Sequence, residues 1–377
     1  ENAVSFLNTR VVRTDLGVHN YLPVFTILMA PFGLLPLRVA IVIFTLISLG
    51  AFAAAAWMTE RSLRRPGEVT PRLATFLSVG LMAPYVTSCA VLGAFGLLLS
   101  SLIILAWCLF ERRTDWKAGF VIAIAALLKI LPGALLVYFA LRGRWRVVAS
   151  AIATLALVGV ALPTAILGPS ETLRLHQELF ASAQRHSARE TIFGERPKKI
   201  IVSNNALPTT LRRLLTPVDA APNDDPGHVP FCVNVADWSQ QGVWRVYVAI
   251  MAIVIISTIA LTLAPRGATT TEHARILEQC RFGLWCCLAL LATPLMWTHY
   301  LPLLYWPLAI ACYGAETRRG GFGWIVVLAT LVVWLGGAIA LASPTARGMG
   351  AQIAGVFALW IAMVALSFQA TRSPARV

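Results

Sequence analysis

The chain has 377 residues, of which 58% are hydrophobic and only 13% charged, about half the ~25% charge of a soluble domain. With a mean hydropathy of +0.73, no soluble fold could bury the apolar surface, which excludes soluble enzymes, secreted disulfide scaffolds and coiled coils. The 31 basic against 17 acidic residues give +14, a balance that suggests nucleic acid in a soluble protein but orientation in a membrane protein.

A bilayer core of about 30 Å needs roughly 20 apolar residues per helix. Eleven apolar segments follow in chain order: 37–58, 73–88, 91–110, 118–128, 131–141, 147–167, 243–264, 282–293, 300–314, 322–342 and 351–370. Several are too short to cross alone. Segments 118–128 and 131–141 read either as two half-spans or as one helix kinked at Pro132, and Pro294 poses the same choice for 282–314. Charge decides between them. If every segment crosses, the cytoplasmic loops hold 17 of the 31 basic residues, while the short outer connections hold only Lys129 and Arg347. The positive-inside rule therefore favours the half-spans and explains much of the +14 without nucleic acid. The chain reads as an all-α, multi-pass protein of the plasma (inner) membrane with a cytoplasmic C-terminus. It divides into 1–20, a remnant of a first outer loop; 21–167, an N-terminal membrane half; 168–242, a large extracytoplasmic loop; 243–370, a C-terminal membrane half; and a tail, 371–377. An outer N-terminus with no preceding span predicts a missing upstream helix, making about twelve spans.

The large loop far exceeds the usual 4–6 residues of a connection and is a functional suspect. Helical spacing predicts a helix over 173–183 and a short amphipathic turn over 211–215, with an irregular, mobile excursion over 217–230. Its string RHSARETIFGERPKK groups Arg185, His186, Arg189, Arg196, Lys198 and Lys199. These are either solvated charge or a phosphate site, since Arg forks and Lys ammoniums suit phosphate oxygens.

Ionisable groups within a membrane are functional suspects. All 17 acids fall in predicted loops, which lowers the reading of a proton- or sodium-coupled transporter. Lys129 ends a half-span, either snorkelling to the interface or binding phosphate. His299 stands at the junction of two half-spans beside Trp297 and Tyr300, between Pro294 and Pro302. It is either an aromatic-belt residue or part of a cavity floor, where irregular backbone is tolerated. The cysteines show no metal-ligand spacing, and adjacent Cys286 and Cys287 suit packing. No nucleotide-binding fingerprint occurs.

Four strings then carry a resemblance. YLPVFTILMAPFGLLPLRVA from Tyr21 is similar to the juxtamembrane Tyr-Pro-Pro-x-Phe segment of glycosyltransferase family 87. These are polyprenol-phosphate-mannose-dependent mannosyltransferases of the GT-C superfamily. AALLKILPG resembles its Lys-x-x-Pro helix, SNNALPTTLRRLL its outer Asn-rich motif, and TPLMWTHYLPLL its Ser-Pro-x-x-Trp-x-His-His element. Departures are Gly93-Ala94 in place of Gly-Gln, the absent second proline of the first motif, where Tyr21-Leu22-Pro23 stands in its place, and Tyr300 at the second His.

The resemblance implies a GT-C-type bundle moving a sugar, by default mannose, from a polyprenyl-phosphate carrier. The sugar goes with inversion to a lipid or glycan acceptor at the extracytoplasmic face. It implies no metal and no cofactor beyond the donor, and no nucleic-acid partner. Lys129, Arg189, Lys198 and Lys199 are then expected to bind the donor phosphate. Tyr21, Asn204, Asn205, Trp297 and Tyr300 would line the acceptor cavity, and His299 would take part in catalysis. The family's catalytic acid follows the first helix, so it is expected upstream of Glu1, with Asp15 the nearest acid in this chain. The competing readings are a lipid-linked-sugar flippase or transporter and an inactive scaffold.

Overall fold

The structure, a computed structural model, describes residues 21–64, 72–194, 201–222, 228–265, 271–317 and 323–372. Asp15, Lys198 and Lys199 lie outside these residues. The helices are α1 (Pro23–Gly33), α2 (Leu37–Leu63), α3 (Arg72–Leu81), α4 (Ala83–Leu92), α5 (Gly96–Glu111), α6 (Asp115–Leu128), α7 (Leu135–Leu141) and α8 (Trp145–Leu167). There follow α9 (Pro169–Arg185), α10 (Ala188–Phe193), α11 (Leu207–Leu215), α12 (Gln240–Leu263), α13 (Thr271–Ala292), α14 (Tyr305–Thr317), α15 (Gly323–Ala342), α16 (Pro344–Gly348) and α17 (Ala351–Arg372).

Among the described residues five helices are long and apolar enough to span a bilayer, and α3 with α4 makes a sixth if the bent pair is one span. The chain is a multi-pass, all-helical membrane protein. The expected break near Cys89 is displaced: the helix bends by 53° at Met82 instead and stops at Gly93, whose φ of 58° suits glycine. Glu60, Glu111, Asp115 and Glu278, expected in loops, lie in helices that run past their apolar cores. Around Pro132 the short-segment reading and the kink meet, because α6 stops at Leu128 and a 3-10 turn, Leu131–Ala134, leads into α7.

The chain folds as two compact units, residues 1–55 with 89–187, and 56–88 with 188–377. In the first, Gly119 of α6 lets α8 approach so closely that a Cβ there would sit 2.2 Å from the Val147 carbonyl oxygen. Ser150 then donates to the Trp116 carbonyl at 2.6 Å. Trp107, Phe110, Tyr138 and Phe139 form a ring cluster with centroids 5.1–6.5 Å apart. In α8 a wide π stretch, Leu155–Ala161, precedes Pro163, which cannot donate the next helical hydrogen bond.

In the second unit α13 is buried along 284–291 and carries Arg281, fully buried. Its guanidinium caps the end of α12, donating to the Leu261 and Ala264 carbonyls and to Glu278. Helices α15 and α17 meet over small residues, as apolar helices in lipid do: a Cβ on Gly336 would lie 2.4 Å from the Ala351 oxygen. Polar side chains bind these helices together. Trp285 donates to Thr262, Trp360 to Thr258 and Tyr85 to the Val333 carbonyl, at 2.7–3.0 Å.

Candidate functional site

The break between α13 and α14 is the most informative element. Pro294 ends the helical run, and 293–297 cross as irregular backbone before the 3-10 turn Thr298–Leu304. Such backbone needs protein partners for its freed amides. The Asn204-Asn205 pair supplies them. Asn204 Oδ1 accepts from the Met296 N–H at 3.0 Å, and the Asn205 N–H donates to the Met296 carbonyl at 2.6 Å. Both asparagines are buried. Asn204 is itself held, accepting from the Ala206 N–H and donating to the Thr209 hydroxyl.

Behind them stands Arg213, fully buried. Its guanidinium donates to the carbonyls of Ile201, Asn204 and Gly348 at 2.7, 2.9 and 3.0 Å, and to the Thr210 hydroxyl. Burial pushes its pKa down to about 10, yet the cation persists at neutral pH. Arg212 donates to the carbonyls of Thr191 and Gly194, tying down α10. The third wall is the turn after α16. Gly350, with φ of 88°, presses on Thr210, and Gln352 Oε1 accepts from the Thr298 hydroxyl at 3.1 Å. Segments 201–213, 296–300 and 348–352 thus form one polar nest. From it Trp297, Thr298, His299 and Tyr300 emerge half-buried, the last two rings edge to face at 4.9 Å.

The other expected residues fall elsewhere. Lys129 is in the first unit, at the C-cap of α6, with its N–H on the Ala125 carbonyl. Its neighbour is Cys89, close enough to interact with the ammonium, and the Cys89 sulfur receives the amides of Gly96 and Leu97 at the start of α5. Gly93-Ala94, the departure from the Gly-Gln pattern, forms the turn between them, with the Ala94 N–H on the Cys89 carbonyl. Tyr21 stacks on Phe25 at 4.2 Å, and Phe95 closes on Phe25. Arg189 is exposed on α10 in the second unit. The expected mobile excursion 217–230 is tied across its ends: Asp219 accepts from the N–H groups of Ala221 and Phe231 and pairs with His228. Among the described residues no His, Cys, Asp and Glu cluster could hold a metal ion.

The sequence pattern of glycosyltransferase family 87 matches residues 19–216, which takes in Tyr21, Gly93, Lys129, Asn204, Asn205 and Arg213. The chain belongs to glycosyltransferase family 87. It is also similar to the polyprenol-phosphate-mannose-dependent alpha-(1-2)-phosphatidylinositol mannoside mannosyltransferase of Mycobacterium tuberculosis (strain ATCC 25618 / H37Rv). Identity there is 32% over 161 residues, 38% of this chain and 36% of that relative. The chain thus spans only about a third of the curated relative it matches. No solved structure matches the chain. The family match stops short of Trp297, His299 and Gln352, so the nest joins residues inside the matched region to residues beyond it.

Arg213, Thr298 and Gln352 were not singled out from sequence. Arg212-Arg213 reads there as charge on a wet turn, and only the buried Asn pair beside it hints otherwise.

Proposed function

We propose that the protein is a membrane mannosyltransferase that takes a sugar from a polyprenyl-phosphate carrier and passes it, with inversion, to a lipid or glycan hydroxyl at the extracytoplasmic face. Membership of family 87 supports the reaction class, and the name of the mycobacterial relative supports the carrier and the sugar. The observation that carries the reading is the nest. The break between α13 and α14 is held by buried asparagines so that His299 sits on a fixed, half-buried turn.

In this reading an outer carboxylate removes the proton from the acceptor hydroxyl, whose oxygen attacks the anomeric carbon as the bond to phosphate oxygen breaks. Asp15 is the nearest acid in this chain, among the residues outside the description. The departing phosphate gains negative charge, which fixed cations stabilise; Lys129 is the first candidate and Arg189, Lys198 and Lys199 follow. His299 hydrogen-bonds the acceptor hydroxyl or the phosphate, and Asn204, Asn205, Trp297 and Tyr300 shape the acceptor cavity. Family membership favours transfer over the flippase reading.

The test uses sealed membrane vesicles of known orientation carrying the protein, supplied with radiolabelled polyprenyl-phosphate mannose. The reading expects labelled glycolipid or glycan, formed on the extracytoplasmic face. Label that crosses the bilayer with no covalent product contradicts it.

A further inference from the structure

Two side chains of the nest carry a polar end without a partner. Asn205 is fully buried, its Nδ2 donates to the Ser203 carbonyl at 3.1 Å, and its Oδ1 has no hydrogen bond. Gln352 is equally buried, its Oε1 takes the Thr298 hydroxyl, and its Nε2 has no hydrogen bond. Leaving such groups unmet is costly, so each asks for an explanation. They flank the same short stretch of chain, Asn205 bonded at Met296 and Gln352 at Thr298. One asparagine or glutamine left over is a packing compromise. An orphaned acceptor and an orphaned donor, on residues held two positions apart in one stretch, make a complementary pair.

We infer that Asn205 and Gln352 form a hydroxyl-recognising subsite at the 296–298 stretch, which takes an alcohol group of the sugar or glycan. The orphaned Asn205 Oδ1 and the orphaned Gln352 Nε2, on residues held two positions apart at Met296 and Thr298, are the juxtaposition that carries it. The inference rests on the nest being the substrate site of the proposed transfer.

The chemistry selects the ligand class. A phosphate oxygen only accepts, and Asn205 Oδ1 would repel it; a metal cation would be repelled by an amide N–H. A hydroxyl both donates to Asn205 and accepts from Gln352. The orientation of Asn205 is fixed by the Ser203 carbonyl, which accepts only. Thr298 can donate or accept, so the Gln352 amide can turn over and present its oxygen, and a sugar with neighbouring hydroxyls still satisfies both ends. Gln352 is then a substrate-binding residue from outside the region that the family pattern matches.

Replacing Gln352 by Met keeps the volume and removes the orphan. If the amide is only a buried group without a partner, the variant is at least as stable as the wild type and otherwise unchanged. The measurement is the thermal shift of the solubilised protein with methyl α-mannoside and, separately, with inorganic phosphate. The mannoside should raise the wild-type melting temperature, Gln352→Met should lose that rise without a lower baseline, and phosphate shifts should not differ between them. Thr298→Val, which frees the amide from its anchor, should weaken the mannoside shift and serves if the Met variant folds poorly. In the transfer assay Gln352→Met should raise the acceptor KM by about tenfold with a smaller change in kcat, the scale of one lost hydroxyl hydrogen bond. Equal mannoside shifts in wild type and Gln352→Met, or no shift in either, overturn the inference and leave a buried water as the occupant. A Gln352-dependent mannoside shift without any transfer from polyprenyl-phosphate mannose overturns the proposed reaction and leaves the subsite standing.

Discussion

Asn204 Oδ1 meets the backbone N–H of Met296 at 3.0 Å across 92 positions of sequence. The contact turns the break between α13 and α14 into a fixed platform, because the amide that Pro294 leaves without a helical partner is satisfied by a side chain. The placement of the 297–300 turn that carries His299 depends on that bond.

Asn204→Leu removes the acceptor for both Met296 and Ala206, and two buried N–H groups lose their partner. The expected cost is about 2–4 kcal/mol, one to two unmet hydrogen bonds, seen as a lower melting temperature in detergent. Asn204→Asp keeps the acceptor oxygens and should lose less. Equal losses in both variants would mean that the asparagine acts through its NH2 on Thr209 alone.

Arg213 holds three backbone segments from a single buried guanidinium. Arg213→Met leaves the carbonyls of Ile201, Asn204 and Gly348 unmet and should destabilise by several kcal/mol, at about 1–3 kcal/mol for each unmet buried group. Arg213→Lys retains the charge but not the fork geometry and should fall in between. Melting curves of the three proteins give the order, and a Met variant as stable as wild type would contradict the clamp.

The Asp219–His228 tie gives a pH dependence of known sign. Burial works to raise the Asp219 pKa, but the Ala221 N–H, His228 and the Phe231 N–H outweigh it and hold the carboxyl below its ordinary value. A lowered folded value means stabilisation in full above the unfolded value of ~3.9, lost as pH falls through the folded one. Hydrogen exchange at the Phe231 amide, corrected for its intrinsic pH dependence, should therefore accelerate on acidification below about pH 4. The Asp219→Asn protein should lack this step.

Lys129→Met should lower the rate of sugar transfer by about 10² or more, the usual effect of losing one preorganised charge beside a leaving group. Lys129→Arg should recover part of it. The decisive readout is kcat at saturating polyprenyl-phosphate mannose, since a change confined to the donor KM would place the lysine in binding alone.

How far the sequence revealed this architecture depends on the element. The long apolar helices α2, α8, α12, α15 and α17 are set by composition over 20 residues and were legible, as was the helix in 173–183, extended to Pro169–Arg185 by its capping turn. The break at Met82 was missed although Pro84, at the second position of the helix that follows, marks it. Asn204, Asn205 and His299 were legible as polar letters in apolar strings, but their connection depends on a contact between distant segments. Gln352 gave no signal at all: an uncharged residue at the start of an apolar helix gains meaning only when Thr298 is seen on its oxygen.

Whether the rebuilt helix break serves sugar transfer is measured most directly by the rate of labelled mannose transfer from polyprenyl-phosphate mannose in membranes carrying wild type, His299→Ala or Lys129→Ala. The wild type is expected to transfer, and each variant, inserted at the wild-type level, to lose most of the rate. Wild-type transfer by both variants would contradict that role.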